Sequence, residues 1–262
     1  MSFELPGIAT IQLPILVILT ARLAGFFVTV PFFSTSAAPP LVRGGLALAV
    51  ALLLYPVHVD SVEVTGTASL VAMTAKELLA GMFLGGLVRL LFAGLQLAGQ
   101  LAGFGIGLSL AKIIDPGAAT EDSLGPALYQ YLGLILFIGV GGHRELISAV
   151  IRSYDVLPLG AATVGPALVR EVLSTTGQMF QAGLRLAAPV AAVLFLVDIV
   201  LALGNRVVPQ IPILMVGMPV KAWLGIAALG LGLRAFAGPA LGWLSRAPDL
   251  ILGASRLLAV SP

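Results

Sequence analysis

Six stretches of this chain are apolar over lengths that water solvates poorly, and no other feature constrains the fold as tightly. They cover roughly residues 8–30, 44–59, 70–111, 123–141, 180–203 and 213–244. Most approach or exceed the about 20 residues that carry a helix across a bilayer. The apolar residues run unbroken rather than alternating, so membrane β-strands are not expected. Only 10% of the 262 residues are charged and 59% are hydrophobic, with a mean hydropathy of +1.08. A soluble domain carries about 25% charged residues. That composition excludes a water-soluble enzyme and a disordered chain, and leaves an all-α polytopic membrane protein. A net charge of +2 gives no basic footprint for nucleic acid. The absence of cysteine excludes disulfides and thiolate chemistry. The opening Met1-Ser2-Phe3-Glu4 is acidic and Arg22 interrupts the first apolar run, unlike a cleavable signal, so that segment is expected to be retained.

Proline punctuates the apolar runs. Pro31, Pro39-Pro40, Pro116, Pro158, Pro166, Pro209 and Pro212 read as turns, whereas Pro14, Pro189 and Pro219 fall within or at the edges of runs and predict kinks. No linker or charge block divides the chain, so residues 1–262 read as one continuous membrane domain; the stretch 142–171, the longest polar connection and read as a loop, could separate a four-segment front part from a two-segment rear hairpin. With six crossings, the bias of basic residues places both termini in the cytoplasm.

Charges lie where a lipid-facing helix would have none: Arg22, Lys76, Glu77, Arg89, Arg185, Asp198, Lys221 and Arg234. A charge at the bilayer centre costs about 2.5–3.5 kcal/mol even on a mild scale, so such groups face protein or water. Lys221 and Arg234 can snorkel from helix ends. Arg185 and Asp198 are about 20 Å apart along one helix, so each needs a partner on another segment or subunit. Burial inside a larger assembly suits this many embedded charges.

The third apolar segment carries small residues at four-residue spacing: Gly81 and Gly85, then Gly99, Gly103 and Gly107. Such strips let helix backbones approach closely, either within one chain or between chains. The strip runs on through Gly107, Lys112, Ile113 and Ile114 into Asp115-Pro116-Gly117, a helix expected to stop abruptly in a turn that is either a plain loop or a segment lining or blocking a pore. Chemistry of other kinds is missing. His58 and His143 belong to no zinc motif, and Ser109 with His143 in a polar loop makes a poor serine-protease pair. Neither a catalytic site, nor a metal site, nor a cofactor site is expected.

Specific runs then point to a family. Gly107-Leu108-Ser109 with Asp115-Pro116 is followed by Gly142-His143-Arg144-Glu145-Leu146-Ile147, Ser153-Tyr154 and Leu157-Pro158-Leu159-Gly160. Further on stand Ala187-Ala188-Pro189-Val190, Asp198, Arg206, Pro209-Gln210 and Val216-Gly217-Met218-Pro219-Val220-Lys221. With Arg22, Pro31, Lys76-Glu77, Gly81 and Gly85, this order resembles the FliR family of flagellar biosynthesis proteins over almost the whole chain. Pro212 departs from it, where a polar residue is commoner after the Pro-Gln pair. The resemblance implies helical hairpins in a multi-subunit pore complex of the bacterial inner membrane, in the flagellar basal body. Residues 1–165 would be a FliP-like front part and 166–262 a FliQ-like rear hairpin. It implies assembly with FliP and FliQ, service by FlhA and FlhB, and unfolded export substrates in transit. By the same resemblance Gly107, Lys112, Ile113, Ile114, Asp115 and Pro116 belong to a plug that closes the pore. The related injectisome subunits (the SctT family) and, from a different class, a small-solute secondary transporter are the alternatives. The transporter is disfavoured by six segments with no inverted repeat.

Overall fold

The computed structural model describes residues 12–34, 39–58, 64, 66–106, 124–207 and 213–259. Among them are nine helices: α1 (Leu13–Thr29), α2 (Pro31–Ser34), α3 (Pro40–His58), α4 (Thr67–Ile106), α5 (Leu124–Gly139), α6 (Gly142–Val156), α7 (Pro166–Val207), α8 (Ile213–Leu244) and α9 (Ala247–Ala259). No strand occurs among the described residues, and the all-α polytopic expectation holds. Prolines mark several starts. Pro14 sits in the first turn of α1, whose missing N–H is no loss there. Val30 is extended ahead of Pro31, as the residue before a proline prefers.

The described residues of all six apolar stretches lie mainly in helices, but the lengths differ from expectation. Among the described residues three helices, α3, α4 and α7, are long and apolar enough to cross a membrane. The number rises to five if Leu124–Gly139 with Gly142–Val156, and Pro219–Gly232 with Ala235–Ala259, each count as one broken crossing. At 17 residues α1 falls short. Helix α4 has 40 residues and α7 has 42. At 1.5 Å per residue each is about 60 Å long, twice the about 30 Å of a hydrocarbon core. The fifth apolar stretch begins at 180, yet its helix starts at Pro166, because 166–178 supplies a polar but uninterrupted helical half with Arg170, Glu171, Thr175 and Gln178.

The polar connection 142–171 is not a loop throughout. It contains α6, whose Leu146, Ala149, Val150, Ser153 and Tyr154 are buried while Arg144, Glu145, Ser148, Arg152 and Asp155 are exposed. That 3.6-residue period is amphipathic helix, and His143 falls in its first turn. Helix α9 is built the same way, with Ile251, Ala254, Ser255 and Leu258 inward.

The chain divides into two compact units that interleave in sequence. Unit one holds residues 1–89, 143–175 and 246–262, and unit two holds 90–142 and 176–245. In unit one α1 packs along α3; in unit two α5 packs on α8. Unit one has a core of Ile18, Leu19, Leu23, Phe26 and Phe27 from α1, with Leu84 and Val88 from α4.

Candidate functional site

Unit one is organised around a break in the helices. After α6 the chain turns through Leu157, Pro158, Leu159 and Gly160, and both leucines are buried. Gly160 has φ of +76°, a conformation that costs a side-chain-bearing residue dearly. Buried backbone groups outside helices need partners, and two charged side chains supply them. The Arg22 Nη2 group donates to the Leu157 carbonyl at 2.9 Å, and the Gly160 N–H donates to Glu77 Oε1 at 2.9 Å. Arg22 Nε then donates to Glu77 Oε2 at 2.5 Å, closing the ring. Both side chains are 0% exposed.

The pair is well wrapped. The guanidinium carbon of Arg22 lies 4.2 Å from the Tyr154 ring centroid, in cation–π range. Tyr154 donates its hydroxyl to the Leu19 carbonyl at 2.8 Å, and Ser153 stands 3.4 Å from Arg22 Nη1. The Thr163 N–H and hydroxyl both donate to the Leu258 carbonyl, at 3.0 and 3.2 Å, joining the extended stretch after the turn to α9. An ion pair so deep is stable only because its remaining donors and acceptors find backbone partners.

Four residues along α4 from Glu77 comes Gly81, then Gly85, on one helix face. A Cβ at Gly81 would overlap the Arg22 backbone, and one at Gly85 would overlap Thr29 and the Phe26 carbonyl. These glycines let α1 lie against α4 closely enough for Arg22 to reach Glu77. In unit two Gly99 and Gly125 face each other backbone to backbone, with Gly103 in ordinary contact beside them. Of the glycines in the predicted strip, Gly81, Gly85 and Gly99 leave no room for a Cβ against neighbouring backbone or side chain, Gly103 is in ordinary contact, and Gly107 lies outside the described residues.

Unit two has a different interior. Trp243 donates its indole N–H to the Leu91 carbonyl at 2.8 Å. Tyr129 meets Phe236 edge to face, as Phe92 meets Phe137. Helices α4, α5, α7 and α8 enclose a cavity of about 430 Å³, with Ala102, Ile106, Leu128, Pro189, Val190 and Leu229 in its wall. The Asp198 carboxylate pairs with the Lys221 ammonium, joining α7 to α8 where both remain partly exposed.

Of the eight charges predicted to be embedded, Arg22 and Glu77 are buried and paired with each other. Lys76, Arg89, Arg185 and Asp198 are exposed on the surface of the single chain, because each stands on the outer face of its helix. The side chain of Arg234 lies outside the described residues, and so do all the predicted plug residues: Gly107, Lys112, Ile113, Ile114, Asp115 and Pro116. No three His, Asp or Glu residues gather into a metal-binding group among the described residues. Sequence reasoning missed Trp243, although an indole in an apolar run needs an acceptor and so invites one. It missed the cavity outright.

Comparison with known proteins accords with this picture. A family model described as bacterial export proteins, family 1, matches residues 13–246. The chain is 29% identical over 213 residues to the flagellar biosynthetic protein FliR of Aquifex aeolicus, covering 81% of this chain and 82% of that one. It is 30% identical to FliR of Pectobacterium carotovorum, over 80% of each, and 28% identical to FliR of Escherichia coli, over 79% and 80%.

Proposed function

This chain belongs to the bacterial export proteins of family 1, and from that membership we propose that it is a core subunit of the flagellar export gate, lining with FliP and FliQ the channel for unfolded flagellar proteins. It is a membrane component of the flagellar export apparatus. The observation that carries the finer reading is the exposure of Arg89 on α4, a helix apolar enough to cross a membrane. Lipid does not tolerate such cations at depth; protein or water does. Farther along α7 the apolar side chains Phe195, Leu196, Val200 and Leu203 are more than half exposed. Surfaces that mix the two are completed by neighbouring subunits around a hydrated passage.

In this reading the subunit is not an enzyme. It sits in the inner membrane at the basal body, with FlhA and FlhB serving the gate. Residues 1–165 correspond to a FliP-like part and 166–262 to a FliQ-like hairpin. Gly107, Lys112, Ile113, Ile114, Asp115 and Pro116 close the passage at rest, with the two isoleucines excluding water. Deleting the gene should abolish motility and hook-filament export, and the tagged chain should co-purify with FliP and FliQ. A strain that swims without the gene, or a chain that purifies alone and monodisperse, overturns the proposal. Deleting residues 113–116 should make the membrane leak ions; unchanged permeability rejects the plug.

A further inference from the structure

The interior of α7 carries a cation, Arg185, one turn before a proline, Pro189. Residues at i and i+4 have Cβ atoms about 5–6 Å apart, so the two are neighbours. Pro189 lines the unit-two cavity, as do Leu186 and Val190 on the same helix. Having no N–H, Pro189 cannot donate to the Arg185 carbonyl, which an ordinary helix would satisfy from that position. An exposed cation thus stands on α7 next to Leu186 and one turn from Pro189, two residues of the cavity wall, and the proline withholds the usual helical donor from the Arg185 carbonyl. Neither ion pair found among the described residues involves Arg185.

We propose that this cavity holds one acyl chain of an anionic phospholipid, with the lipid phosphate on the Arg185 guanidinium. Charge complementarity and size both select that occupant. The cation requires an anion where the surroundings are apolar, and a glycerol headgroup brings hydroxyls that can donate to the Arg185 carbonyl. A helix with side chains is about 10–12 Å across and rises 1.5 Å per residue, so the cavity would take only about three residues of a partner helix, less than one turn. Its volume of about 430 Å³ nevertheless falls in the about 300–1,000 Å³ range of pockets that bury small ligands. An unbranched hydrocarbon tail matches a wall made of Leu, Ile, Val, Ala, Gly and Pro189 with the rings of Tyr129 and Phe236. The inference does not depend on what the assembly exports.

The test uses the full chain, with whatever subunits accompany it, extracted from membranes and washed in detergent. Retained lipid is quantified by mass spectrometry before and after incubation with phosphatidylglycerol or phosphatidylcholine. The wild type should retain phosphatidylglycerol over phosphatidylcholine. Arg185→Gln should lower that retention by roughly tenfold or more, the worth of one charge-assisted hydrogen bond. Leu128→Trp, which puts an indole at a partly exposed position of the cavity wall, should lower retention of both lipids. Arg152→Gln, an exposed cation of unit one, should behave as wild type. Equal retention of the two lipids, or no loss in Arg185→Gln, overturns the proposal. So does a photo-crosslinker at Leu128 that captures a protein in place of lipid.

Discussion

The two units solve one problem in opposite ways. Backbone that leaves the helix inside an apolar surrounding must still pair its N–H and C=O groups. Unit one accepts such a break, at Leu157–Gly160, and answers it with a fully buried ion pair whose charges reach the loose backbone groups. Unit two keeps its interior nearly free of charge. Its contacts are glycine against glycine, ring against ring, and one indole N–H on a helix carbonyl. Its ion pair, Asp198–Lys221, stays partly exposed. The lesson is that a chain this apolar can bury charge where the charge repairs an irregular backbone, and has little use for it where helices run whole.

The sharpest way to break the contrast is to remove one partner of the buried pair. Glu77→Leu leaves the Arg22 guanidinium without its carboxylate and the Gly160 N–H without its acceptor. The expected loss is about 3–5 kcal/mol, read as a large fall in melting temperature in detergent and in protein level in the membrane. Arg22→Met with Glu77→Leu should recover part of that loss, because no lone charge then remains buried. If Glu77→Leu melts like wild type, the pair does not hold unit one together.

Next in size come the glycine contacts. Overpacking a tight contact costs about 1–3 kcal/mol, and both Gly81→Val and Gly99→Val should lie in that range. Gly81→Val should cost more, since its new side chain pushes on the backbone of Arg22 itself and so draws the guanidinium away from Glu77. Equal melting shifts for the two variants would show that the ion pair tolerates displacement of α1.

Much of this contrast was legible before any coordinates. Unbroken apolar runs announced the helices, and the four-residue glycine spacing announced close contacts on α4. The run Leu157-Pro158-Leu159-Gly160 was readable as a family feature, but not as a buried turn, because nothing local says that its partners stand at 22 and 77. Embedded charges were read from the segment alone. That found Arg22 and Glu77 but equally picked out Lys76, one residue away, which faces outward; neighbours in sequence on a helix point about 100° apart. Helix α6 was hidden because a charged amphipathic stretch looks like a loop when hydropathy is averaged over its length. The cavity is a property of four helices at once and has no signature in any one of them.

In unit two, Trp243→Phe removes a hydrogen bond to a carbonyl that already belongs to a helix. It should cost about 1 kcal/mol plus the packing lost with the smaller ring. A melting shift as large as that of Glu77→Leu would contradict the idea that unit two stands on apolar contact.

The smallest expected effect is also the most instructive about surroundings. Asp198→Asn breaks the pair with Lys221, whose side chains are 49% and 24% exposed in the single chain. In water such a pair contributes about 0–1 kcal/mol, because solvent screens both charges and the long lysine gives up conformational freedom to meet its partner. In lipid or inside a dry interface, the same change strands an ammonium and approaches the cost predicted for Glu77. A near-neutral Asp198→Asn in the isolated chain that becomes strongly destabilising in the assembled complex would mean that neighbouring subunits cover the pair and dry it. A near-neutral result in both would leave the pair facing water.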